Sequence, residues 1–210
     1  MNKLGDLSCN EFLTELASAA PAPGGGGGAA MAGALAAALA SMVANLTIGK
    51  EKFAECEPEV KELLKQAEAE RVRLLTLVDE DAAVFNSFMS CYKLPKTTDE
   101  EKAARTAAIR AAAKQAATVP LNIARSSFAV LKLADRLVVS GNPGVITDAA
   151  CSGLLARAAL RCAEYNVRIN LGLTKDEAWN AQAAADLKQL LADAEALETR
   201  LLAVTDKALQ

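Results

Sequence analysis

Residues 28 to 48 carry no charged side chain, and directly before this run stands Pro21-Ala22-Pro23 followed by five glycines, Gly24 to Gly28. A stretch that long without charge has to be covered, either by other protein or by lipid. Its Ala, Gly, Ser, Asn and Thr content gives weak hydropathy for a membrane span, and the other helical segments are amphipathic. The expectation is a central helix from about Gly28 to Ile48, with small residues on every face and neighbours on all sides. Asp6, Glu11 and Glu15 lie ahead of it, which does not suit a signal peptide. The glycines read as a structured loop, because the 23 residues before them are too few for an independent unit that a flexible linker would join. Glycine in front of a helix also lets backbone approach a ligand closely.

The remaining segments show helical periodicity and no strand pattern. A short first helix starts at Ser8 or Asn10 and runs through Phe12, Leu13 and Leu16. Another opens at Glu57-Pro58 and extends towards Tyr92, with Val60, Leu64, Ala67, Leu74, Leu75, Val78, Ala82, Phe85, Met89 and Tyr92 as its apolar stripe. On that register Asp81 lies on or beside the buried stripe, while Asp79 and Glu80 face outward. Thr98-Asp99-Glu100-Glu101 is a capping-box pattern, and Pro120 is expected to kink or divide the helix that follows. Gly141-Asn142-Pro143-Gly144 makes a turn, and Thr147 or Asp148 caps a helix with Leu154, Leu155, Ala158, Cys162, Tyr165 and Ile169 on one face. Thr174-Lys175-Asp176-Glu177 reads as a second capping box opening the last helix. The prediction is an all-α fold, a single domain over residues 1–210, built as an elongated bundle of about six or seven helices with long central members.

Composition excludes several kinds of chemistry. Histidine is absent, which removes the commonest general base, the usual zinc ligand and every Ser-His or Cys-His nucleophile. No carboxylate cluster has a recognised metal-ligand spacing, so no metal site is expected. With a net charge of -3 and no basic block, the chain offers nucleic acid no electrostatic footprint. Five widely spaced cysteines without a C-x-x-C pair suit reduced thiols in a cytoplasmic protein. The glycine run lacks the Lys-Ser/Thr of a nucleotide P-loop, and no strand precedes it as a dinucleotide fold requires.

Asp81 is the sharpest candidate for chemistry, since a carboxylate on a core-facing helical position is desolvated and its pKa rises unless a cation pairs with it. Periodicity alone equally allows a structural ion pair. Lys50, after the uncharged helix, either caps that helix electrostatically or meets a ligand. Asn142, Asp148, Asn166 and Asn170 can position a polar heterocycle, or can simply make a turn, a cap and interhelical bonds.

Taken together, Pro21-Ala22-Pro23-Gly24-Gly25-Gly26, Leu46-Thr47-Ile48-Gly49-Lys50, Asp79-Glu80-Asp81-Ala82, Leu94-Pro95-Lys96, Asn142-Pro143 with Asp148, and Asn166-Val167-Arg168-Ile169-Asn170 resemble the cyclodeaminase/cyclohydrolase family in order and spacing. The resemblance covers essentially the whole chain. It departs at Gly27 and Gly28, where related chains more often carry serine. It implies an all-helical homodimer that binds tetrahydrofolate derivatives in a cleft near the subunit interface. The activity implied is formimidoyltetrahydrofolate cyclodeaminase, releasing 5,10-methenyltetrahydrofolate and ammonia; the alternatives are methenyltetrahydrofolate cyclohydrolase and a catalytically silent folate-binding protein. Asp81 and Lys50 match the family's acid/base and cationic positions. Pro23, Gly24, Gly25, Gly26, Asn142, Asp148 and Asn170 are the expected substrate contacts, and no cofactor beyond the folate substrate and no membrane partner are expected.

Overall fold

Capping chemistry decides where the helices begin. The computed structural model describes residues 3–210, which form six α-helices: α1 (Cys9–Leu16), α2 (Gly25–Asn45), α3 (Glu57–Cys91), α4 (Asp99–Ser140), α5 (Ile146–Leu171) and α6 (Glu177–Ala208). Short 3-10 turns lie at Leu4–Asp6, Glu51–Phe53 and Pro143–Val145, and no strand occurs among the described residues. The all-α bundle with long central helices is therefore as predicted. Ser8 and Thr98 each complete a capping box, with Glu11 and Glu101 reaching back to the cap backbone. The expected box at Thr174 does not form. Asp176 caps α6 by accepting the Trp179 N–H at 3.0 Å, while Thr174 donates its hydroxyl to Asn180 at 2.7 Å. Helix α5 starts before Thr147 and Asp148, because Asn142 accepts the Gly144 N–H at 3.0 Å and starts a 3-10 turn that runs straight into it. Asp148 consequently sits in the first turn of α5.

Pro120 neither divides α4 nor ends it; the helix continues unbroken for 42 residues with Pro120 buried inside. A proline cannot donate to the carbonyl four residues earlier, here that of Ala116. The Asn170 side chain of α5 supplies the missing donor, with its Nδ2 at 2.8 Å from the Ala116 oxygen.

Helix α2 packs against α3, α4 and α5, and it does so through small side chains. At Gly33 an added Cβ would lie 3.0 Å from both Leu74 Cδ2 and Ser127 Oγ, so the approach of α2 to its neighbours depends on that missing atom. Burial is not complete on all sides, however. Leu35, Ala38 and Met42 form an uncovered outer face, with Leu35 52% exposed.

The same preference for small residues reverses the expected orientation of α5. Ala149, Ala156, Ala159, Leu160, Ala163 and Val167 face the core, while Leu154, Tyr165 and Ile169 of the apolar stripe point outward. Close packing against α2 and α4 favours the alanine face over the bulkier one. On α3 the stripe holds at Val60, Ala67, Leu74, Val78 and Ala82, but Leu63, Leu77 and Phe88 are buried where Phe85, Met89 and Tyr92 are exposed. Asp79 is not simply outward: its Oδ1 accepts the Leu4 N–H at 2.6 Å and ties the start of the described chain to α3. Core residues from all six helices form one hydrophobic cluster.

One buried charge stabilises the α4–α6 contact. Asp135, 3% exposed, is held bidentately by Arg200, whose Nε lies 2.7 Å from Oδ1 and whose Nη2 contacts Oδ2. Removing the guanidinium strands a desolvated carboxylate. Arg200→Met is expected to cost about 3 kcal/mol, measured as a lower urea midpoint at neutral pH.

Candidate functional site

The first turn of α2 is the floor of the site. Gly25 to Gly28 are helical rather than a loop, and Gly24 is the N-cap, so the free N–H groups of the helix start point at the neighbouring α3. Asp81 of α3 sits against them. An added Cβ on Gly26 would collide with Oδ1 of Asp81 and lie 2.6 Å from its Cγ, so no residue with a side chain fits there without displacing the carboxylate. Gly25 is less constrained, its added Cβ reaching Asn166 Nδ2 only at 3.5 Å. Pro23, reached through a cis Ala22-Pro23 bond, is buried behind the turn against Gly27.

Burial pushes the Asp81 carboxyl above the usual carboxylate range, and the Gly27 N–H opposes this by favouring the charged form. The result is a carboxyl that exchanges its proton at higher pH than a surface aspartate does.

Around it opens a cleft of about 300 Å³, bounded by Pro21, Ala22 and Gly24 to Gly26, by Asp81, Val84, Phe85 and Phe88 of α3, by Ala116 of α4, and by Asn166, Ile169, Asn170 and Leu173 at the end of α5. Asn166 donates its amide to the Cys162 carbonyl at 2.9 Å, and Asn170 donates to the carbonyls of Ala116 and Asn166 at 2.8 and 2.9 Å. Asn170 has both amide hydrogens engaged by backbone and Asn166 one, and each presents its oxygen as an acceptor. Phe85, 37% exposed, and Phe88 add aromatic surface on the Asp81 side of α3. The cleft therefore combines flat apolar walls with acceptors, suited to a planar heterocycle whose edge carries N–H donors.

Of the sequence candidates, Gly24, Gly25, Gly26, Asp81 and Asn170 converge on this cleft, with Pro23 packed directly beneath. Lys50, Asn142 and Asp148 do not. Lys50 is exposed beyond the C-terminal end of α2, separated from Asp81 by the length of that helix, about 30 Å for 21 residues. Lys50 and Asp81 therefore do not meet within a single chain, because the uncharged helix between them is continuous. Asn142 joins the same far end: its Nδ2 donates to the Leu46 carbonyl at 3.1 Å and its own N–H donates to Thr47 Oγ1 at 2.8 Å.

A profile of the formiminotransferase-cyclodeaminase family matches residues 8–189. The chain belongs to the formiminotransferase-cyclodeaminase family. It is 45% identical over 197 residues to a methenyltetrahydrofolate cyclohydrolase of Methylorubrum extorquens, covering 94% of this chain and 95% of that one. It is 34% identical over 183 residues to the formimidoyltransferase-cyclodeaminase of Sus scrofa, covering 87% of this chain and 34% of the pig protein. The crystal structure of a formiminotetrahydrofolate cyclodeaminase from Thermotoga maritima superposes with a TM-score of 0.88 at 29% identity, covering 98% of both chains.

Phe85 and Phe88 went unrecognised as site residues in the sequence. Their signal was present: at four and seven positions after Asp81 they share its helical face. Ala116 and Leu173 carried no comparable signal.

Two outcomes follow for Asp81 and its seat. A raised native pKa means that the folded state holds this proton more tightly than the unfolded chain. Stability from this group is therefore greatest in acid and declines as pH rises from the ordinary carboxylate range through the raised value. Asp81→Asn removes that decline, so its thermal midpoint exceeds that of the wild type at about pH 8 and the gap narrows towards about pH 4. Gly26→Ala displaces the carboxylate and lowers the midpoint at both pH values.

Proposed function

We propose that this family member is a folate one-carbon enzyme acting at the carbon that bridges N5 and N10 of tetrahydrofolate. The observation that carries the reading is the half-buried Asp81 carboxyl at the start of α2, desolvated and facing a cleft with aromatic walls and amide acceptors. The pterin edge donates N–H groups to Asn166 and Asn170 and lies against Phe85 and Phe88. Asp81 moves the proton. In the hydrolytic direction its carboxylate takes a proton from the water that attacks the methenyl carbon, and the ring then opens to the 10-formyl product. In the deaminating direction it accepts the N10 proton as N10 attacks the formimidoyl carbon, and it passes that proton to the departing ammonia. Both pass through a tetrahedral carbon held between the two nitrogens, so one site serves either.

The 45% identity along nearly all of the Methylorubrum extorquens cyclohydrolase favours hydrolysis. The Thermotoga maritima cyclodeaminase, matched along 98% of its length, supports the deaminase reading. Purified protein offered 5,10-methenyl- and 5-formimidoyl-tetrahydrofolate separately, with the methenyl chromophore and ammonia followed, decides between them. Turnover of neither rejects the enzyme reading. The chemistry needs no cofactor beyond the folate substrate.

The working form is a homodimer, joined through the outer face of α2. Leu35 lies at the middle of the helix with small Ala32 and Ala38 on either side. An antiparallel pairing centred on Leu35 sets Met42 opposite the partner's Gly28. At Gly28 an added Cβ would touch only Leu16 Cδ2 at 3.9 Å, so nothing inside the chain requires glycine there. The outward residues Leu154 and Tyr165 of α5 widen the face. With two helices side by side it measures roughly 30 by 20 Å, close to the ~800 Å² per partner of a stable dimer. The same pairing carries Lys50, Asn142 and Asp148 of one chain towards the glycine turn and Asp81 of the other, reuniting the two groups of candidates.

Asp81→Asn is expected to lower kcat by ~100-fold or more with substrate saturating. Because the base form is the active one, wild-type rate falls as pH drops through the raised Asp81 pKa. Sedimentation gives a species of twice the 21.9 kDa chain mass, and Leu35→Glu gives a monomer of unchanged helical content. Mixed and re-equilibrated D81N and Lys50→Ala proteins, each inactive alone, recover about one quarter of wild-type activity by statistical pairing. No recovery would show that Lys50 does not act across the dimer.

A further inference from the structure

We infer that Pro120 is a positioning residue for substrate binding, acting through the Ala116 carbonyl on Asn170. The inference rests on the reading above, in which Asn170 meets the substrate, but the tie itself is independent of that reading. Pro120 lies buried in the interior of α4, where an ordinary residue would donate its N–H to the Ala116 oxygen. The proline has no N–H to give, so that carbonyl has no ladder partner at position 120. Asn170 meets the Ala116 oxygen at 2.8 Å and places its second amide hydrogen on the Asn166 backbone oxygen at 2.9 Å.

Two carbonyl partners fix which end of the amide is nitrogen, because neither can accept from the Asn170 oxygen. Both donors are spent on backbone, and the planar group turns its Oδ1 away from them. Asn170 and Ala116 both line the cleft. The orphaned carbonyl thus holds an acceptor oxygen in one orientation before substrate arrives, which lowers the ordering cost of binding. A residue with an N–H at position 120 returns the Ala116 oxygen to the helix ladder and leaves Asn170 held by the Asn166 carbonyl alone. Specificity for a substrate with an N–H donor at that point follows from a break in the backbone of a different helix.

The test is a double-mutant cycle between Pro120→Ala and Asn170→Ala, read in two ways. In thermal unfolding without ligand, N170A is expected to lower the midpoint by about 3 °C when Pro120 is present, since it orphans a part-buried carbonyl. In the P120A background it lowers it by less than about 1 °C, the ladder bond having been restored. In kinetics with the methenyl substrate, P120A and N170A each raise KM about tenfold with kcat within about twofold, and the double variant is no worse than either. Asn170→Asp, which keeps an acceptor oxygen but has no donor for Ala116, needs no change at Pro120 and raises KM as N170A does. Equal midpoint losses from N170A in both backgrounds would overturn the tie. A wild-type KM in P120A or N170D would overturn its role in binding. If the wild type turns over no folate, the kinetic arm fails with the proposed activity, and the thermal cycle still decides the tie.

Discussion

The contact between the Asp81 carboxylate and the bare backbone of Gly26 governs the geometry of the site end of the bundle. It seats the Asp81 carboxylate in the space that a Cβ at position 26 would occupy. Glycine in a helix costs about 1 kcal/mol relative to alanine, and four in succession open α2. That cost is offset where the helix start gains an acidic neighbour for its unpaired N–H groups. Only Gly26 is required by this contact; Gly25 and Gly28 have room for a methyl group within the chain.

From that anchor the rest follows by close packing. Alanine and glycine faces allow α2, α4 and α5 to approach closely, and the larger apolar side chains of α5 are left outside. A bundle assembled in this way has few bulky side chains to spare for closing its ends, so polar groups secure the junctions between helices. Ser152 donates to the Ala36 carbonyl at 2.7 Å, Asn142 ties the end of α2 to the α4–α5 turn, and Arg200 covers Asp135.

The helical class, the first helix start at Ser8, the capping box at Thr98 and the placement of Asp81 on or beside the buried stripe of α3 were legible, because each depends on spacing within one segment. What escaped depended on partners distant in sequence. Pro120 reads as a helix breaker until Asn170, fifty residues later, is known to take up the carbonyl it frees. The stripe of Leu154, Tyr165 and Ile169 reads as core because hydrophobicity ranks those residues above alanine, whereas interhelical distance selects the alanines. Lys50 and Asp81 read as an acid/base and a cationic candidate, and periodicity carries no distance between them; the helix between them sets them a full helix length apart. The resemblance supplied the company these residues keep but not which end of the molecule each occupies.

The desolvated state of Asp81 has a consequence for ligand charge. The methenyl bridge of the folate is an amidinium cation, and a positive charge placed beside a half-buried carboxyl pulls its pKa back down. If that ligand occupies the cleft as proposed, its binding is linked to proton release, and its affinity rises with pH until the empty site is already ionised. A neutral folate lacking the bridge has no such linkage. On the proposed mechanism the carboxyl that moves protons would thereby also discriminate, before any bond changes, between the charged and uncharged forms of one-carbon folate.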